Sequence, residues 1–376
     1  MRNIKGILMN RDLPTVNFEG ELKIGEGAFY NLKFTKIEII DNLMSPLIVN
    51  NTLSEENNIK NLNNWFSKRL FSVKRKIPHT DRISFEDEYP HFFSMSDNYW
   101  IKYNENEKWE ELSFFTSENV SNNMGNYLFS NNRYIRTLNV PHDAPEITTN
   151  GVQDKRWIFK LTTPMGNLFA LRKRASKKLG TEVWADVISS NILKNIGFAI
   201  DYIPYSLVID NGMIASECLN FITKDTEFVS ATQILTVTPK VEGEDLYQTL
   251  IRAGKIYNIP DVEIYLNNMM YADELLFNED RNTGNIGFIR DSNGAFIKCA
   301  PLFDFGFSFL NVSDPAQKNI FTKKRRELHK EEVIKKPNYD IVKEEINAVK
   351  GYDIGIERIN KMIDARMTEK ATELKF

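Results

Sequence analysis

Late in the chain, Val262, Tyr265, Leu266, Met269, Met270, Leu276 and Phe277 recur at helical intervals after Pro260 and Asp261, which predicts a helix that stops near Asn278. A loop over 280–285 follows, with Gly284 inside it. Alternation then changes to a strand period over 286–289, a turn over 291–294 and a returning strand over 295–299. Pro301, Leu302 and Phe303 read as a short buried strand that ends at Asp304. Loop, hairpin and strand together bring Asp280, Asn285 and Asp304 to one end of a small sheet.

The preceding chain mixes strands and helices. Residues 4–9, 15–18 and 34–40 read as strands, and 54–71 as a helix opened by Ser54 and Asn57 in a capping-box pattern. Composition shifts to the linker-like run PHDAPEITTN over 141–150. Strands over 157–161 and 168–172 follow, joined through Pro164 and Gly166. A helix is predicted over 181–196, with Thr181 as N-cap, Gly197 as stop, and Val183, Trp184, Val187, Ile188, Ile192 and Ile196 as its buried face. Asp210-Asn211-Gly212 is a hairpin turn between strands over 205–209 and 213–217. After Phe221 the chain reads as mainly helical up to the loop, and 339–374 as two or three terminal helices.

Asp280, Asn285 and Asp304 are polar residues set between apolar segments, so the fold must place them. Phosphoryl transfer from ATP needs this set of groups. One aspartate orients the attacking hydroxyl or accepts its proton, while an asparagine and a second aspartate give Mg²⁺ hard oxygen ligands. Protein kinases carry Asp, four residues, then Asn, and later Asp-Phe-Gly; this chain has Asp280-Arg-Asn-Thr-Gly-Asn285 and Asp304-Phe305-Gly306. The competing reading makes Asp280 and Asn285 turn formers and Asp304 a helix cap. Either motif alone occurs by chance; both in order, a hairpin apart, favour the phosphate and metal site.

The segments FNEDRNTGNIGFIR and APLFDFGFSF resemble the HipA-like kinases, whose catalytic loop reads N-x-D-R-H-x-x-N and whose metal aspartate lies in a P-L/I-F/Y-D stretch. The run around Trp65 and Phe66 and the later Ser94 to Ile101 extend the likeness toward the N-terminus. The resemblance implies that Asp280 is the catalytic aspartate and that Asn285 and Asp304 hold Mg²⁺. Gly151-Val-Gln153-Asp-Lys155 is similar to the G-x-Q-x-K phosphate loop of that family, with glycine for close backbone approach and lysine for charge. Strand alternation lets only one of Arg172 and Lys173 point inward as the phosphate cation. Asp186 takes the acidic helix position that pairs with that cation, and backbone groups from Glu217 to Leu219 take the adenine position. Thr148 stands three residues before the glycine, the offset of the HipA autophosphorylated serine.

Two positions depart from the family pattern. Asn282 replaces the usual histidine, and Arg172 stands at the lysine position, where arginine keeps the charge without the compact ammonium shape. They motivate a rival reading, a nucleotide-binding pseudokinase that serves as an interaction module.

Length and composition bound the rest. The 376 residues allow two or three domains, and 42% hydrophobic with 26% charged residues describe an ordinary globular chain. At a net charge of −3 nothing global calls for nucleic acid, and direct DNA binding is not expected. Lys68, Arg69, Lys74, Arg75 and Lys76 read as a solvated basic face. No apolar run reaches signal-peptide or membrane-spanning length. The two cysteines, Cys218 and Cys299, fit a reducing cytoplasm, and the four histidines lack zinc spacing. Lys23-Ile-Gly25-Glu-Gly27 imitates a kinase glycine loop, but no V-A-x-K strand follows, so it reads as a hairpin turn.

The fold class is α+β. The resemblance implies a bilobal protein-kinase-like fold: an added N-terminal α/β domain over 1–145, an N-lobe over 146–222, and a mainly helical C-lobe with the catalytic loop over 223–376. It implies ATP and Mg²⁺ as cofactors, a protein Ser/Thr acceptor, autophosphorylation, and a toxin–antitoxin role with a small DNA-binding antitoxin-like partner. A lipid acceptor is disfavoured by the lack of a membrane-binding helix.

Overall fold

The computed structural model describes residues 2–24, 30–69, 83–85, 89–118, 120, 138–140, 148–149, 154–175, 181–310, 319–335, 337–348, 357, 360, 361 and 364. In chain order come strands β1 (Arg2–Asn10), β2 (Leu13–Ile24) and β3 (Tyr30–Ile39), helix α1 (Glu55–Ser67), strands β4 (Ile83–Phe85) and β5 (Tyr99–Lys102), and helix α2 (Trp109–Leu112). Strands β6 (Leu138–Val140), β7 (Lys155–Thr163) and β8 (Gly166–Arg174), helix α3 (Glu182–Asn195), and strands β9 (Ser206–Asp210), β10 (Met213–Leu219) and β11 (Thr226–Ser230) follow. The remainder is helices α4 (Ala231–Val237), α5 (Leu246–Ile256) and α6 (Val262–Leu275), strands β12 (Gly287–Asp291) and β13 (Phe296–Cys299), and helices α7 (Thr322–Lys330) and α8 (Tyr339–Ala348). The protein is α+β. Its chain divides into two compact units.

The first unit comprises Met1–Lys173, Leu219–Pro239 and Phe288–Ile297. Its four-stranded sheet has the order β3-β2-β1-β5, and its strand period turns Leu8, Val16, Phe18, Phe34 and Ile101 into one core with Leu62 and Phe66 of α1. Phe34 sits edge-on to both Phe18 and Phe66, contacts that add about 0.5–1.5 kcal/mol each beyond burial. Asn63 of α1 fixes the helix on the sheet, accepting from the Phe34 amide at 2.9 Å and donating to its carbonyl at 3.0 Å. Ser54 caps α1 as the sequence predicts, accepting from the Asn57 amide. Arg69 is not solvated: it is buried on Asp97 and stacks 4.6 Å from the Trp65 ring centroid. Lys74, Arg75 and Lys76 lie outside the described residues, as do Gly25 and Gly27.

β11 lies in this unit and interrupts the helical stretch predicted after Phe221. Its alternation was masked because an inward position holds Glu227, which pairs with Arg290 of β12. Arg290 also donates to the Tyr99 hydroxyl, and Asn10 donates to Glu227 at 3.2 Å. A buried charged cluster thus replaces the apolar contact that strand patterns advertise.

β7 and β8 form the predicted antiparallel hairpin, with Lys155 opposite Lys173 and Arg156 opposite Arg172. Gly166 closes it at φ 108, and a Cβ there would stand 2.7 Å from the Phe115 carbonyl. Asn167 locks the same corner, donating from its amide to Phe115 and from its side chain to Phe114, each at 2.8 Å. Gly166→Ala is expected to destabilise the protein by about 1–3 kcal/mol, since neither the φ nor the backbone contact can yield cheaply. Urea unfolding measures this directly.

The second unit comprises Arg174–Cys218, Lys240–Gly287 and Lys298–Phe376. α3 forms where the sequence predicts, yet Thr181 makes no side-chain cap bond. Its buried face includes Glu182, Asp186, Ser189 and Ser190, whereas Trp184, Val187 and Ile196 are only half-buried. Two of these serve hydrogen bonds: Asp186 accepts from the Phe305 amide at 2.9 Å, and Ser190 accepts from the Tyr205 amide at 3.1 Å. The hairpin β9–β10 turns at Asn211 and Gly212, both at positive φ, as the Asp-Asn-Gly signal requires. α5 begins with a capping box between Asp245 and Gln248, and Gly254 admits the Val262 side chain of α6. The predicted terminal helices are represented by α8, and the chain beyond Ala348 lies mostly outside the described residues.

Candidate active site

α6 ends abruptly. The Asn278 amide donates to the Asp273 carbonyl at 2.8 Å and the Phe277 amide to Glu274 at 3.2 Å, while Phe277 takes φ 51. This is a Schellman closure with phenylalanine where glycine is usual. Local strain of this kind costs on the order of 1–3 kcal/mol and persists when surrounding contacts impose it. Here the turn directs the chain into the loop that bears Asp280.

Arg281 organises that loop. Its side chain is fully buried with that of Asp273, to which Nη2 donates at 2.8 Å and Nε at 3.1 Å. Nη1 donates to the Asn285 carbonyl at 3.0 Å and to the Phe303 carbonyl at 3.1 Å. One guanidinium therefore joins the end of the Asp280 loop to the residue just before Asp304. Burial opposes its charge, but Asp273 beside it, together with Tyr265 and Asp304, outweighs that and holds Arg281 above the ordinary arginine value. Asp273 is satisfied further by Asn278 Nδ2 at 2.9 Å and Asn319 Nδ2 at 2.9 Å, so the buried pair is embedded in a network.

Within the loop, the Asp280 amide donates to Asn278 Oδ1 at 3.2 Å. Asn282 braces the turn: Nδ2 donates to the Asp280 carbonyl at 3.1 Å, and Oδ1 accepts from the Gly284 amide at 2.9 Å. Asn285 Nδ2 points to the Asp280 carbonyl at 3.5 Å, which leaves Oδ1 as the acceptor end of that amide. Asp280 and Asn285 are both half-buried.

Asp304 takes φ 62, and its amide donates to the Tyr205 hydroxyl at 3.1 Å. The next amide, Phe305, donates to Asp186 Oδ1 at 2.9 Å, and Ser216 donates to Asp186 Oδ2 at 3.0 Å. Asp186 is thereby a buried brace for the Asp304 turn. A left-handed aspartate, held by hydrogen bonds on its own amide and on the next one, has a fixed carboxylate bearing.

Asp280, Asn285, Asp304, Asp186 and Glu217 belong to the second unit. Lys155, Arg172, Lys173 and Leu219 belong to the first, where Lys173 is buried, Lys155 and Arg172 are half-buried, and Leu219 is exposed. Glu217 is a half-buried residue of β10 paired with Ser206. Arg174, next to them in sequence, is spent on a buried pair with Asp210 at 2.8 Å. Gly151 and Gln153 lie outside the described residues; Thr148 is described and half-buried.

The donor set suits Mg²⁺ on a nucleotide. Among the described residues no group of three or more His, Cys, Asp or Glu side chains can hold a metal ion. A carboxylate and an amide oxygen leave most coordination positions to phosphate and water, the arrangement Mg²⁺ favours.

No family model matches the chain. Over 138 residues it is 25% identical to the serine/threonine-protein kinase CtkA of Helicobacter pylori, a stretch covering 33% of this chain and 39% of that protein. The chain is similar to HipA-like kinases. It spans about two fifths of the length of that curated relative. Among solved structures, a proinflammatory kinase CtkA of Helicobacter pylori aligns at 19% identity and a TM-score of 0.40, covering 59% of this chain and 95% of that one. HipA from the Shewanella oneidensis MR-1 toxin–antitoxin complex with HipB and operator DNA aligns at 12% and 0.47, covering 97% and 90%.

Sequence reasoning passed over Arg281, Asp273, Asn278, Asn319, Tyr205 and Ser216. The available signal for Arg281 and Asp273 was a pair of opposite charges within segments otherwise apolar enough to be core, because buried charges come paired.

Proposed function

We propose that the protein is an ATP- and Mg²⁺-dependent kinase of the HipA-like kind that transfers the γ-phosphate to a serine or threonine of a protein, itself included. The observation that carries this reading is the double donation from Arg281 to the carbonyls of Asn285 and Phe303, which sets the loop aspartate and the metal-side aspartate in one rigid frame. Asp280 orients the acceptor hydroxyl and takes its proton. Asn285 and Asp304 are the ligands for Mg²⁺, which when bound neutralises charge developing on the nucleotide phosphates. Lys155 with Arg172 or Lys173 is assigned to the phosphates, and Glu217 to Leu219 to the adenine. In domain terms, 1–145 is read as accessory, 146–222 as the N-lobe and 223–376 as the C-lobe. A small DNA-binding antitoxin-like partner and a toxin role follow from the sequence resemblance.

Asn282 and Arg172 favour a second reading, a pseudokinase that binds nucleotide and acts through partners. Labelled phosphate transfer from ATP separates the two. With Mg²⁺ the wild type is expected to label itself; EDTA and Asp304→Asn are expected to abolish the label. No transfer, combined with an ATP-induced rise in melting temperature that depends on Asp304, would leave the pseudokinase.

A further inference from the structure

α7 has two unlike faces. On the inner one Leu328 is buried, Arg325 and His329 meet Glu274, and Lys324 lies 3.3 Å from Asp245 and 5.2 Å from the Tyr247 ring centroid. On the outer one Lys323, Arg326 and Lys330 are exposed. Among the described residues none of these three makes an ion pair. Their spacing forms a cationic stripe about 10 Å long on one helix face. Folding disfavours part of it: like charges three and four residues apart repel, and Lys323 sits in the first turn, where the helix dipole disfavours a cation, while Lys330 alone stands in the last turn, where the dipole favours one.

The start of this helix is attached to the catalytic loop. The Ile320 amide donates to the Arg281 carbonyl at 3.3 Å, and Asn319 Nδ2 donates to the Asn278 carbonyl at 3.0 Å. Lys323 follows Ile320 by three residues, so its Cα lies within about 11 Å of that contact. Lys330 stands about 10 Å further along the helix.

We propose that the stripe of Lys323, Arg326 and Lys330 selects acceptor segments carrying acidic residues near the phosphorylated hydroxyl. The inference rests on the kinase reading above. At about 3.3 Å per extended residue, these upper limits place the acidic positions within roughly six residues of the acceptor. An acidic peptide fits better than nucleic acid. Glu327, Glu331 and Glu332 interrupt the basic run and the chain carries a net charge of −3, whereas phosphate-backbone binding calls for an extended basic field.

The test uses the full chain and two serine peptides, one with glutamates three to six positions on both sides of the serine and one with glutamines there. Phosphorylation rates give KM, and fluorescence anisotropy of the labelled peptides gives binding without chemistry. Wild type is expected to prefer the glutamate peptide by about tenfold in KM. The Lys323→Gln, Arg326→Gln, Lys330→Gln triple variant is expected to lose that preference. Equal use of both peptides by wild type overturns the proposal, as does a preference that survives in the variant. A DNA duplex bound more tightly than the glutamate peptide, and released by the same substitutions, also overturns it. Absence of transfer to any peptide and to the protein itself defeats the kinase reading alone. Anisotropy then decides the stripe: selective binding of the glutamate peptide that the variant loses supports it, and no selective binding overturns it.

Discussion

Asp280→Asn is expected to lower phosphoryl transfer by on the order of 10²–10⁴-fold, the range for removing a positioned proton acceptor, while nucleotide binding is retained. The substitution keeps shape and removes the base. It also leaves in place the loop contacts made by the Asp280 backbone: the amide donates to Asn278, and the carbonyl accepts from Asn282 and Asn285. Loss should therefore appear in the rate of transfer, with the ATP- and Mg²⁺-induced rise in melting temperature preserved. Asp304→Asn should differ by losing that Mg²⁺-dependent rise too, since a neutral amide is a poorer ligand for a hard cation. A variant at Asp280 that transfers phosphate at the wild-type rate would remove this residue from catalysis and with it the assignment of the loop.

Arg281→Met is expected to destabilise the protein by about 3–5 kcal/mol, the scale for breaking a buried pair from one side. Asp273 would remain buried without its cation, and the Asn285 and Phe303 carbonyls would lose a shared donor. Chemical denaturation of the variant measures the loss. Combining Arg281→Met with Asp273→Asn is expected to cost less than the sum of the two single changes, because the second substitution removes the stranded charge. Arg281→Lys should restore only part of the stability: an ammonium keeps the charge but lacks the planar fork that reaches a carboxylate and two carbonyls together. Full recovery by lysine would show that charge alone, and not the fork, frames the site.

Much of the local structure was legible in the residues. The period of Val262 to Met270 marks α6, the Asp-Asn-Gly turn marks β9–β10, and Ser54 marks the start of α1, because each is decided by near neighbours. Errors fell where polar side chains are buried for tertiary reasons. The pattern runs β11 into a helical region since Glu227 breaks its apolar alternation, and it sets Arg69 on a solvated face although Asp97 and Trp65 enclose it. On α3 the apolar residues foretell the helix and part of its inner face: Val183, Ile188 and Ile192 are buried, whereas Trp184, Val187 and Ile196 are half-buried and Asp186 turns inward to the Phe305 amide.

The sequence by itself determined the α+β class, the loop spacing from Asp280 to Asn285, and the hairpin that separates them from Asp304. These depend on short-range preferences and on the chemistry of residue types. Only the tertiary structure decided what holds those side chains. Arg281 reaches Phe303 22 residues away and Asp186 reaches Phe305 119 residues away, and no local pattern encodes the partner of a buried charge. The physical reason is that burial makes an unpaired charge costly wherever its partner lies in the chain, so the pairing is fixed in space and is silent in sequence.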